Sequence, residues 1–314
     1  MPHGDASLRQ AAWAGLQDSM PRAAVLSIHA RVAATAPGDW QDDSLVQLWG
    51  PRFSAYVVAA ADRAVFTLGR LPDDPAGLRR CVDAADRLEA FLAGRAMPFG
   101  EAGRGLGVPP NSLRRAAPPG RVLIRWDGAR QPTVWSVPAP DIDPQQARIE
   151  LARRFLHIQG PSTADAFSTW AGVRPQPGRA VFDALAGSLA PVRTPVGEAW
   201  ILAEDEAVVR AAAGPVAPAR LLPSGDAYFL LQGADRALLV PDQARAAELW
   251  TPRVWPGALL VGGEVAGIWR RADTRLTIWA WRPLTPVERT AVEAEAVSLP
   301  VPGIGAPITL DWAG

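Results

Sequence analysis

The clearest hydrophobic period in the chain lies between Gln145 and Leu202. In ARIELARRFLHIQG the apolar residues Ile149, Ala152, Phe155 and Leu156 recur at three- and four-residue steps, which predicts a helix. Gly160-Pro161 stops that helix. Ser162 and Thr163 can cap a second helix that ends at Trp170, and Gly172 and Pro177-Gly178 break the chain again. RAVFDALAGSLAPV predicts a third helix, and PVRTPVGEAWIL a hairpin with Gly197 near its turn. Upstream, SLRQAAWAGLQDS (7–19) predicts a helix with Leu8, Ala11, Ala12 and Leu16 on one face. Pro21 opens a second helix, RAAVLSIHARVAATA, which ends at Pro37-Gly38. After a short segment, DSLVQLWGPR, the run SAYVVAAADRAVFTLG reads as two strands around Ala61-Asp62. A long helix from Asp74 or Pro75 to Gly94 follows, striped by Leu78, Cys81, Val82, Ala85, Leu88 and Leu92. SLRRAA is a short helix, and RVLIRWDG and QPTVWSVPAP are strands joined at Asp127-Gly128.

Beyond Leu202 a helix is expected over Glu204–Ala213, then a Pro-rich linker from Gly214, where the pattern changes. LLPSGDAYFLLQG, RALLVP, GALLVGGEVAGIW and RLTIWAWRPL are strand-like runs, with PDQARAAELW a helix among them. Thr285 and Glu288 have the capping-box spacing before a final helix, VERTAVEAEAVSLP. Helices followed by a two-stranded wing is the order of a winged helix, a helix-turn-helix variant. The plan recurs, so the expected fold is α+β: tandem winged-helix units plus a C-terminal β-barrel-like subdomain. The expected boundaries are 1–72 (unit 1), 73–143 (a long helix plus unit 2), 144–213 (unit 3) and 214–314 (the β-barrel-like subdomain with its closing helix).

Composition narrows the chemistry. All 32 basic residues are Arg, none is Lys, and 32 acids balance them. With abundant Ala, Gly and Pro this is the composition of a GC-rich genome. Zero net charge gives no global pull on nucleic acid, so DNA contact requires locally gathered Arg. The single cysteine, Cys81, excludes an internal disulfide and sits in a helical stripe, where it reads as core. No apolar run is long enough to span a bilayer, and the first residues carry no signal-peptide pattern. A cytoplasmic monomer without cofactor is therefore expected. There is no Cys/His cluster for a metal, no phosphate-loop motif and no Gly-x-Ser-x-Gly elbow.

The candidate DNA contacts are Arg52 after Trp49-Gly50-Pro51, Arg114 and Arg115 on the short basic helix, and Arg179 at the start of the third central helix. Arg114 and Arg115 are equally what a solvated face in a Lys-free chain would carry. Trp40 and Trp49 could stack a flipped base or simply fill a core. His157 reads as packing or surface.

Several motifs then carry a resemblance. Gly160-Pro161 precedes a helix ending Trp170-x-Gly172; Leu222-Pro223 precedes Asp226 with Arg236 after it; Gly263, Gly267 and Trp269 form a hairpin motif. In order and spacing the chain resembles the bacterial winged-helix DNA-binding family related to the AlkZ- and YcaQ-type DNA glycosylases, most strongly over 145–282. The resemblance implies a concave surface for double-stranded DNA, damaged or not, and metal-free excision of alkylated or crosslinked bases. In that family a Gln-x-Gln or Gln-x-Asp motif positions the attacking water. Here the aligned stretch reads Ser27-Ile28-His29-Ala30-Arg31, so His29 and Arg31 stand at the two catalytic positions. A neutral His can orient water. Arg cannot be a base, would oppose a growing cation, and suits a phosphate better. His29 read structurally is a hydrogen-bonded helix-end residue. Three functions stay open: a glycosylase-like repair protein, a non-catalytic DNA-binding regulator, and a winged-helix protein that binds protein or small ligands.

Overall fold

The computed structural model describes residues 1–18, 22–127, 131–211, 214, 217–301 and 307–313. The expected helix start at Pro21, turn residue Gly128, helix end at Ala212-Ala213 and linker residues Pro215-Val216 lie outside the described residues.

Helix α1 (Asp5–Ala11), strand β1 (Leu16–Gln17) and helix α2 (Ala23–His29) precede the antiparallel pair β2 (Leu45–Trp49) and β3 (Ala55–Ala59). Then come α3 (Arg63–Thr67), α4 (Pro75–Leu92), β4 (Met97–Pro98) and α5 (Phe99–Gly105). A 3-10 turn over Pro110–Ala116 leads into the hairpin strands β5 (Val122–Arg125) and β6 (Thr133–Ser136). These strands make one sheet in the order β1-β3-β2-β5-β6-β4, joined at its middle by Gln47 opposite Ile124.

Three expectations fail here. The second helix, expected to run to Pro37-Gly38, ends at His29, where the chain turns. The helix predicted over 7–19 stops at Ala11, because the chain bends at Gly15 (φ +77°) against Phe66. A Cβ at Gly15 would lie 2.6 Å from the Phe66 ring, so only glycine permits the bend into β1. The second strand predicted after Asp62 is instead α3, whose Ala64 packs with Leu68 and with Ala147 of the later helix Pro144–Gln159. A short apolar run has no decisive period of its own, and the packing partner selects helix.

The central stretch follows its period. Helices α6 (Pro144–Gln159), α7 (Ala164–Ala171) and α8 (Pro175–Leu185) lead to the hairpin β7 (Leu189–Thr194) and β8 (Gly197–Leu202). Asp143 and Thr163 cap α6 and α7, each accepting a backbone N–H. Gly172 closes α7 in the left-handed conformation. Helix α8 starts at Pro175 rather than Arg179, since proline fits the first helical position. Phe155, Phe167, Trp170 and Phe182 pack with Leu48, Tyr56 and Phe66 of the preceding sheet region in one core.

The last part holds α9 (Glu206–Arg210), β9 (Ala219–Leu222), α10 (Arg236–Leu239), α11 (Gln243–Leu249), β10 (Gly257–Val261), β11 (Glu264–Ala272), β12 (Arg275–Ala280), α12 (Pro286–Ser298) and β13 (Thr309–Ala313). RALLVP, expected as a strand, is the short helix α10, and LLPSGDAYFLLQG is extended only to Leu222. The sheet runs β13-β12-β11-β10-β9 and is open, which corrects the barrel-like expectation. Closure is blocked at β9. The Leu221 amide on its outer edge donates to Glu295 of α12 (3.2 Å) rather than to another strand. The apolar faces of α1 and α2 bury Leu8, Val25 and Ile28 against Leu259, Ile278 and Val292, so the first helices share a core with the last sheet. Among the described residues no helix is long and apolar enough to cross a membrane.

Candidate active site and nucleic-acid interface

Helix α2 sets the position of His29. Asp18, fully buried, accepts the Ala24 amide at 3.0 Å and the Gln47 Nε2–H at 2.8 Å, which pins the helix start to β2. Residues Ala23 to Ile28 are all buried. At the helix end the amides of Arg31 and Val32 both close on the Ile28 carbonyl. His29 and Arg31 therefore meet different partners from the last hundred residues.

His29 reaches the end of α12. Its Nε2 lies 3.0 Å from Ser298 Oγ and 4.0 Å from Glu295 Oε2. Ser298 already donates its hydroxyl proton to the Glu295 carbonyl at 2.8 Å. The ring must then donate from Nε2, which assigns the lone pair of neutral His29 to Nδ1. Nδ1 is buried and has no partner among the described residues. Burial, and then the charge of Arg220, hold the His29 pKa below its usual value, so the ring is neutral at pH 7. Arg220 pairs with Glu295 at 3.1 Å and donates to the Ala30 carbonyl at 3.2 Å. Burial raises the Glu295 pKa against the opposing pull of Arg220.

Arg31 makes a two-pronged contact with Asp226, both N–O distances being 2.8 Å, and also donates to the Ser27 carbonyl. Ser27 Oγ donates to the same carboxylate at 2.6 Å, and the Tyr228 amide at 2.9 Å. Burial opposes charge on Asp226, but Arg31 and these donors together keep its pKa below the normal carboxylate value. A guanidinium held in this way has its planar fork filled. Asp226 belongs to the Leu-Pro-x-x-Asp motif, whose Leu222 carbonyl accepts the indole N–H of Trp269 at 2.9 Å. Three sequence motifs thus converge on one place.

The other candidates form a second group. Arg52 is half-buried at φ +53° and donates to the Trp170 carbonyl and to Gln17, both at 3.0 Å. Arg114 donates to the Phe53 carbonyl at 3.2 Å. Arg115 is exposed on a groove that Arg80 and Arg87 also line. Among the described residues none of Arg52, Arg114 and Arg115 has a carboxylate within 4.0 Å. Arg179 is exposed on α8, 3.3 Å from the equally exposed Asp165. Trp40 and Trp49 are 5% and 2% exposed, which leaves no face to stack on a base. His157 is exposed beside Asp205 at 2.9 Å. Cys81 is buried in the face of α4. Among the described residues no group of three or more His, Cys, Asp or Glu side chains is placed to hold a metal.

Sequence reasoning missed Asp226, Glu295 and Ser298 as partners, and Arg70 altogether. Only Asp226 carried a signal, as the acid of the Leu-Pro-x-x-Asp motif. A mixed α+β chain whose N-terminal helices meet its C-terminal sheet at a desolvated polar network is the class of protein these features define. The family model described as DNA glycosylase AlkZ-like matches residues 11–299, and the chain belongs to that family. No curated protein matches the chain. Among solved structures it is similar to the Streptomyces sahachiroi DNA glycosylase AlkZ, with a TM-score of 0.78 and 19% identity, covering 98% of this chain and 94% of that one.

Proposed function

We propose that this protein binds duplex DNA through tandem winged-helix units (1–72, 73–143 and 144–213) and excises N7-alkylated purines. In this reading His29 places the attacking water. The observation that carries it is the state of His29 at the first position of the replaced motif: neutral through burial and Arg220, and fixed by Ser298 beside Glu295. A cationic N7-alkylpurine is already a good leaving group, so little acid catalysis is needed. A held water and nearby negative charge to support the developing sugar cation suffice. Glu295 supplies that charge in its ionised form. Arg31 serves as the clamp that holds the His29 turn to Asp226, not as a phosphate ligand.

Binding without excision is a second reading. It is favoured by the buried Nδ1 lone pair, which must turn outward before it can take a proton from water. Single-turnover release from a duplex with one N7-alkylguanine separates the two. Release by the wild type, with a fall of roughly 100-fold in His29→Ala and partial retention in His29→Gln, is expected for excision. Equal rates in wild type and His29→Ala would overturn the role of His29. Salt-sensitive binding with no release would establish the second reading.

A further inference from the structure

A cavity of about 570 Å³ lies between the Pro51–Phe53 turn, the start of α4 and the start of α8. It plays no part in the chemistry at His29. Phe53, Arg70, Arg80, Cys81, Arg174 and Gln176 are among its lining residues.

Arg70 is 4% exposed. It donates Nε–H to the Ala171 carbonyl at 2.9 Å and Nη1–H to the Trp49 carbonyl at 3.1 Å. Its guanidinium stands 5.0 Å over the Phe53 ring. Among the described residues no carboxylate lies within 4.0 Å of it, whereas the similarly buried Arg148 has one and Arg154 two. A buried charge without a counter-charge is costly. Burial lowers the Arg70 pKa to about 10, so the side chain is still charged at neutral pH.

The surroundings hold further positive charge. Helix α8 points its positive end at the cavity; its N-cap, Arg174, provides no side-chain cap, and because Pro175 and Pro177 carry no N–H and the Gly178 amide donates to the Arg174 carbonyl, its first turn offers the Gln176 amide. Arg80 and Arg174 are exposed at the rim. The lining carboxylates already have partners. Asp73 pairs with Arg148, and Asp74 accepts the Gly77 amide and sits 3.4 Å from Arg174.

We propose that this cavity binds a phosphate group, with Arg70 as its buried anchor, the α8 N-terminus behind it, and Arg80 and Arg174 closing from the rim. A phosphodiester of a bound strand and a free phosphate share this chemistry. Occupancy by a strand rests on the DNA-binding reading above.

The test is thermal unfolding of the full chain at fixed ionic strength, with chloride replaced stepwise by inorganic phosphate. A saturable rise in Tm is expected for the wild type. The double variant Arg80→Gln/Arg174→Gln leaves the carbonyl bonds of Arg70 intact and should bind roughly tenfold more weakly. Arg70→Met should lose the saturable rise. Phosphate excluded from protein surfaces in general lifts every variant alike. No saturable rise in the wild type, or the same rise in wild type and double variant, overturns the site. A short duplex is then added to the phosphate-bound protein. Competition assigns the site to a strand, and independent binding of both assigns it to free phosphate. Phosphate binding without any duplex binding would sink the DNA reading and leave the site standing.

Discussion

Arg31 and Arg70 both sit beneath the surface near a candidate site, and their surroundings differ in one respect. Arg31 faces a carboxylate that belongs to the fold, Asp226, in a complete two-pronged pair. Arg70 faces main-chain carbonyls, the Phe53 ring and a cavity, with no carboxylate within 4.0 Å among the described residues. A paired charge of the first kind holds two parts of the chain together. An uncompensated charge of the second kind attracts an anion from outside. In a protein of zero net charge, such local imbalance is where affinity for phosphate can arise.

The largest effect is expected at the closed pair. Asp226→Ala and Arg31→Gln each leave one buried or half-buried charge without its partner, at a cost of about 3–5 kcal/mol. The double variant should cost less than the sum of the two, because neither charge is then stranded. Urea unfolding of all four proteins checks this, and additive losses would mean that the pair is not the clamp described. Recreating a Gln-x-Gln motif with His29→Gln and Arg31→Gln would therefore leave Asp226 buried without its cation.

The pH dependence is next in size. The Asp226 pKa is depressed, so its contribution is present above the unfolded value of 3.8 and is lost as pH falls through the lower folded value. The His29 pKa is also depressed, but its neutral form is the one the fold favours. Its contribution is complete above 6.5 and fades as pH drops from there through the folded value. Glu295 has a raised pKa and the opposite trend, with its contribution present below 4.5 and lost as pH climbs through the folded value. Subtracting the stability–pH curve of His29→Gln from that of wild type isolates the histidine. A flat difference between pH 5 and 7 would remove the claim that burial keeps it neutral.

The smallest effect is expected for Arg179→Ala. Its exposed pair with Asp165 should contribute no more than about 1 kcal/mol to folding. If α8 meets DNA, duplex affinity should fall while Tm stays put, and a change in Tm without a change in affinity would assign Arg179 to structure alone.

Much of the fold was legible where local chemistry is strong. Asp74-Pro75, Thr163 and Thr285-Pro286 start helices as their capping and proline chemistry dictates. Gly262-Gly263 turns β10 into β11 as expected. The runs AVFTL and RALL were misread because apolar runs of four or five residues suit either helix or strand. The strand β13 was missed altogether; it runs parallel to β12 and pairs through backbone bonds that leave little mark on side-chain pattern. At the site, the positions of His29 and Arg31 came from motif order. Their partners lie 269 and 195 residues away in the chain, beyond any local periodicity.

The sequence by itself determined the capped helix starts, the Gly262-Gly263 turn, the α+β class and the family motifs. Each of these rests on backbone conformation, capping or spacing within a few residues. Tertiary structure alone decided that the last sheet stays open, that α2 ends against α12, that Arg31 is neutralised and that Arg70 is not. Those outcomes depend on which buried charges and edge amides meet across hundreds of residues. Desolvation makes each such meeting matter energetically, and no local pattern encodes it.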